Sequence, residues 1–288
     1  MKYLKLFTNH SDYNTAKSGL DKPNVSHCVN EDHVHYDPWV DNRIIATFNI
    51  TNTSSATPIM YSNSSSKFSK IEIDGVAQPS VVTSYKFDTI GEHVVKYTLV
   101  NDTTIGSYAF CDCRNLTSVI IPNSMISIGS EAFKDCYSLT SVSISNSVTT
   151  IGGSAFDGCR DLAEITIPNS VTSIGQFAFA ACRGLTSVTI GNSVISIGGA
   201  AFRDCISLPS IIIPSSVTSI SGGAFYNCTS LNSIVCNAII APTITNSTFD
   251  NVKTGGTLIV PNGSTGYDVW MGTGNYYLGK YNWTKVEQ

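Results

Sequence analysis

The chain has 288 residues, 17 Lys and Arg against 21 Asp and Glu, a net charge of −4 and only 13% charged residues. So mild an acidic balance argues against capture of nucleic acid or of an anionic membrane surface, and no apolar run approaches the ~18 residues of a membrane span. The length suits one elongated or two compact domains, and the opening MKYLKLFTNHSDY shows no secretory signal: it lacks an apolar stretch and a small-residue cleavage site.

Residues 1–43 read as a leader without sustained helical or strand periodicity. Four of the five histidines fall in its first 35 residues, and His27, Cys28, His33 and His35 are its metal candidates, beside Glu31, Asp32 and Asp37. His33 and His35 would share one face of an extended strand, yet the spacing fits no zinc template. The competing reading is a strand or linker that happens to carry imidazoles. No metal or other cofactor is assigned.

Residues 44–100 read as four or five short strands, a small antiparallel β-sandwich and N-terminal cap. Ile44 to Ile50 is rich in β-formers, Phe68 to Ile73 alternates apolar and polar, and Asp74-Gly75 marks a hairpin turn. The strand Val94 to Val100 runs directly into the segment that begins at residue 101, so this region is expected to cover that segment's open end.

From residue 101 to 240 one 23-residue unit recurs six times. Phe110, Phe133, Phe156, Phe179, Phe202 and Phe225 are each 23 apart, and Cys113, Cys136, Cys159, Cys182, Cys205 and Cys228 each follow their Phe by three. A fixed period of this size means a solenoid, in which each unit buries its apolar positions by stacking on its neighbours. Leu116, Val119 and Ile121 and their counterparts point inward from a short strand, and Ile128 and its counterparts fill the next inward slot. Gly129, Gly152, Gly175 and Gly198 are expected to permit a sharp bend. At one repeated slot the cysteine side chains run parallel, so stacked free thiols are expected and disulfides are not. Parallel pairing at about 4.8 Å per coil makes six units roughly 29 Å long.

Residues 241–288 read as a worn seventh repeat and C-terminal cap. Thr248-Phe249 stands for Ala-Phe, and Val252 takes the cysteine slot. Tyr276, Tyr277, Tyr281 and Trp283 read as end cover, with a sugar-stacking platform as the alternative.

The unit L-x-x-V/I-x-I-P-N-S-V-x-x-I-G-x-x-A-F-x-x-C resembles the BspA-type leucine-rich repeat, common in gut Bacteroidales and in treponemal and trichomonad surface proteins. The resemblance implies a right-handed leucine-rich repeat solenoid with a parallel β-sheet on its concave face, here preceded by an immunoglobulin-like sandwich. It implies ligand binding at a cell surface or outside the cell.

No nucleophile beside a base, no paired carboxylates and no P-loop or dinucleotide glycine pattern occurs, so the chain reads as non-catalytic. Binding is expected on the outward strand positions, where Ser141, Ser143, Glu164, Thr166, Ser187 and Thr189 form a low-charge hydroxyl strip. The bland alternative is that these residues merely keep the sheet soluble. Arg160 and Arg183, stacked on adjacent coils, could clamp a carboxylate or sulfate, or else pair with Asp157 and Asp161. Phe177 is the best isolated candidate for a contact residue: its slot holds Tyr108 in the first unit but Glu131, Ser154, Ala200 and Gly223 in the others. The expected partner is a protein or a glycan, held by an adhesin-like rod. The alternative is a structural part of a larger assembly, such as a phage or prophage virion, docked through the leader.

Overall fold

The structure is a computed structural model that describes residues 28–29, 35–36, 43–100, 103–245, 247–274 and 277–288. Each repeat lays down two strands. The longer comes from the L-x-x-V-x-I segment: Leu116–Ile120, Ser141–Ser143, Glu164–Thr166, Ser187–Thr189, Ser210–Ile213 and Ser233–Cys236. Thr257–Val260 and Thr284–Glu287 extend this column in parallel. The shorter strand is a dipeptide, from Thr104–Ile105 to Thr243–Ile244, repeated seven times in one parallel sheet. The result is a β-solenoid of about eight turns with parallel sheets.

The core explains the period. Phe110, Phe133, Phe156, Phe179, Phe202, Phe225 and Phe249 are fully buried, and their rings stack face to face with centroids 5.1–5.8 Å apart. Near-parallel offset stacking is one of the two geometries an aromatic quadrupole favours. Tyr97 closes the stack edge-on at one end, 5.1 Å from Phe110, and Trp270 closes it at the other, 5.2 Å from Phe249. The six repeat thiols are free and fully buried. From the second onward each donates to the carbonyl of the Phe one coil back, as Cys159 does to Phe133 at 3.2 Å. Burial pushes these thiols up, Cys228 to about 12. They therefore act as small core groups that also bind the coils together.

The repeat glycines do a different job from the one expected. None of Gly129, Gly152, Gly175 and Gly198 has a positive φ, so the bend does not need them. A Cβ on Gly175 would instead come within 2.6 Å of the Gly152 carbonyl carbon, and the other three meet backbone equally closely. Glycine is required because adjacent coils touch there.

The N-terminal end docks by its first long strand. Ile44–Ile50 lies between Leu116–Ile120 and Gly91–Leu99 and pairs antiparallel with both, so the strand leading into the repeats sits one place further out than its chain order suggested. Ile44, Ala46, Phe48 and Ile50 alternate inward, and Asn49 and Thr47 carbonyls accept from the Asn115 amide and Thr117 hydroxyl of the first coil. Phe68–Ile73 and Val76–Ala77 complete this sheet around the Asp74-Gly75 turn, both of whose residues have positive φ. Beyond that sheet, this region holds one two-stranded ladder, Thr57–Pro58 with Ser84–Tyr85.

At the other end, Val252 is buried, and Tyr267, Trp270 and Trp283 donate to the carbonyls of Ala238, Pro242 and Lys253. Trp283 is 5% exposed and packs on Gly256, so it is core and no exposed sugar platform includes it.

Candidate functional site

Outward side chains of the long strands are not equally accessible. On the three central coils, Glu164, Thr166, Ser187, Thr189, Ser210 and Ile212 are all exposed, with Ile212 at 55%. Parallel register sets Glu164 beside Ser187 and Thr166 beside Thr189. On the flanking coils the equivalent residues, Ser141 and Ser143 among them, are half-buried, and the Ser143 hydroxyl is shut in without a partner. The strip is thus a window three coils wide. It presents one carboxylate, hydroxyls and one isoleucine, a surface suited to hydrogen bonding with little charge to desolvate.

The hydrogen bonding under the window is broken. Thr140, Thr186 and Asn232 amides each donate to the residue 23 back, at 2.8–3.0 Å, but the amide of Ala163 does not. Pro209 has no N–H to offer, which accounts for the break before Ser210–Ile213. Nothing in the sequence accounts for the break at Ala163.

Arg160 and Arg183 are both exposed. Arg160 lies over the Tyr137 ring at 4.3 Å, while Arg114 covers the same ring at 4.9 Å and pairs with Asp112 at 3.1 Å. A guanidinium over a tyrosine face is held by the ring quadrupole. The expected pairing of these arginines with Asp157 or Asp161 is not seen among the described residues. Phe177 is half-buried on the turn that leads into Ala178-Phe179, with φ 56°. Of the leader's metal candidates, His27 and His33 lie outside the described residues. Cys28 and His35 belong to two short antiparallel strands, Cys28–Val29 and His35–Tyr36. Among the described residues no helix is long and apolar enough to cross a membrane.

Stacked coils, a buried Phe ladder and two parallel strand columns define a leucine-rich repeat solenoid. The chain belongs to the BspA type leucine rich repeat family, whose model matches residues 103–232 and 177–268 in 6 copies, more than half of the chain. No curated protein matches it. Among solved structures it is similar to a leucine-rich repeat protein of T. pallidum, at 29% identity and a TM-score of 0.49, over 58% of this chain and 72% of that one. It is also similar to one from Bacteroides ovatus, at 23% identity and TM-score 0.40, over 70% and 66% of the two chains. A leucine rich cell surface protein of Faecalibacterium prausnitzii is similar at 21% identity and TM-score 0.28, over 66% and 83%.

Proposed function

We propose that this protein is a non-catalytic, adhesin-like interaction protein that docks a protein or glycan partner on its long-strand face. The observation that carries this reading is the exposed window on the three central coils, whose outward residues range from Glu and Thr to Ile while those between them, Ile165, Val188 and Ile211, stay buried and aliphatic. Ser141 and Ser143 then form one margin, and the exposed Arg183 and the Arg160–Tyr137 pair lie just before the strands, where an acidic group of the partner would meet them. Surface display is the setting in which such a rod works. The N-terminal sheet, read as a sandwich-type cap over residues 44–100, holds the first coil, and residues 241–288 close the last.

The test is an array of matrix proteins and glycans probed with the intact protein and with a Thr166→Arg/Thr189→Arg double variant. Both positions are exposed, so the variant is expected to fold normally while losing the signal. A partner bound equally well by the variant would remove the window from the interface. Silence of the intact protein across the array would count against the adhesin-like reading.

A further inference from the structure

The turn around each buried Ala-Phe begins with a left-handed residue: Tyr108, Glu131, Ser154, Phe177, Ala200, Gly223 and Ser247, with φ between 53° and 68°. Residues with a Cβ are disfavoured there, bulky ones most of all, and Gly223 shows the relaxed solution. Two of the three large side chains have a local reason to be there. Tyr108 faces the Tyr61 ring at 5.8 Å, and Glu131 pairs with Lys134 at 3.1 Å. Phe177 has no such reason. Its ring pairs with no other ring or cation among the described residues, and its neighbours in register are small: Ser154 and Ala200 in its own column, Gly153 and Gly199 beside them.

The far end of the same turns carries a second variable slot. There Asp157, Ala180 and Arg203 stand on three consecutive coils, so a buried alanine separates an acid from a guanidinium. Ala180 closes the turn that Phe177 opens, its amide donating to the Phe177 carbonyl at 3.0 Å. Arg203 is oriented by Asp204 at 3.2 Å and lies over the Tyr226 ring at 5.0 Å. The Asp157 carboxylate is half-buried and accepts no hydrogen bond among the described residues; burial raises its pKa, Lys134 and Arg203 lower it, and Asp135 and Glu131 raise it.

We propose that Phe177, the Ala180 step, Asp157 and Arg203 form a subsite for a neutral sugar ring of a glycan. The C–H face of the ring lies on Phe177, its hydroxyls donate to Asp157, and Arg203 donates to a ring or hydroxyl oxygen. An amphipathic ring uses both the aromatic face and the polar groups at its edge. An apolar ligand would leave the half-buried Asp157 carboxylate unpaired. The strained backbone at Phe177 is then kept for the contact its ring makes. This site lies on the turns, away from the long-strand window, and either can fail without the other.

The test uses the full chain with a panel of labelled neutral gluco-, manno-, galacto- and xylo-oligosaccharides, read by calorimetry and thermal melting. At least one is expected to bind. Phe177→Gly and Asp157→Ala should each weaken it by about tenfold or more, whereas Glu92→Gln, at an exposed position of the N-terminal sheet, should leave it unchanged. Phe177→Gly should also keep or raise the melting midpoint, because glycine relaxes the left-handed residue. A lower midpoint would make the ring a packing group and overturn the proposal. So would binding that survives Phe177→Gly, a preference for a Lys/Arg hexapeptide over every sugar, or no binding to the panel.

Discussion

The two strand columns are built from the same repeat over the same core, yet they differ in what they leave for a partner. The short column is an unbroken sheet of seven rungs. Residues 123–130, 146–153, 169–176, 192–199 and 215–222, which carry most of it, contain no charged side chain. Its hydroxyls turn back on the stack: Ser127 donates to Thr104, and Thr149 and Thr218 donate to carbonyls one coil earlier. The long column is interrupted at Ala163 and Pro209 and holds its outward side chains in solvent on the central coils. Where the coils recognise each other through side chains, the sequence has little freedom. On the long column Thr140 and Thr186 make the same bond to the coil before, but the outward strand residues that follow Thr186 face solvent, and their identity can follow a partner instead.

The largest effect should come from the core that both columns share. Phe179 is fully buried and stacked at 5.3 Å and 5.4 Å on its neighbours, so Phe179→Ala should cost about 3–5 kcal/mol in chemical denaturation. A loss under about 1 kcal/mol would mean that the stack is not what holds the coils together.

Next come substitutions that separate the columns. Gly175→Ala places a methyl against the Gly152–Gly153 backbone beside the short column and should cost about 1–3 kcal/mol. Ser187→Ala in the window should stay within about 0.5 kcal/mol. Equal costs would erase the distinction between a scaffold side and a presenting side. Hydrogen exchange sharpens it at single amides. The Thr186 amide is bonded at 2.8 Å and the Ala163 amide has no such bond, so Ala163 should exchange at least about tenfold faster.

The period, the inward positions and the free thiols were legible because a solenoid repeats its core requirements every 23 residues, and each repeat tests the same slot. The glycine role was not, since a residue that permits a bend and one that permits close approach are the same letter. The docking of Ile44–Ile50 was hidden because antiparallel insertion depends on pairing across 70 residues, not on chain order. The outward residues of the window followed from strand alternation. Which of them are exposed did not, because Ser141 and Ser187 occupy the same slot and differ only in what surrounds them. Tyr137 as the rest for Arg160 could have been found from the Arg-Tyr-Arg column one coil apart.

The smallest expected effect concerns the turn column. Burial, with Asp135 and Glu131 nearby, holds Asp157 above its ordinary value of 3.8, partly offset by Lys134 and Arg203. As pH rises past 3.8 the unfolded chain loses this proton first, so the folded state binds more protons over the window from 3.8 to the raised value. Stability contributed by the carboxyl is therefore present at low pH and lost as pH rises through that window. Asp157→Asn removes the charge and keeps the shape, and should stabilise the protein at pH 7 by up to about 0.5 kcal/mol. The difference should vanish below about pH 3, where both side chains are neutral. Urea midpoints of the two proteins from pH 3 to 7 measure this directly. A variant less stable at pH 7 would mean that the carboxylate already has a bonded role in the free protein, and Asp157 would not be available to a sugar hydroxyl.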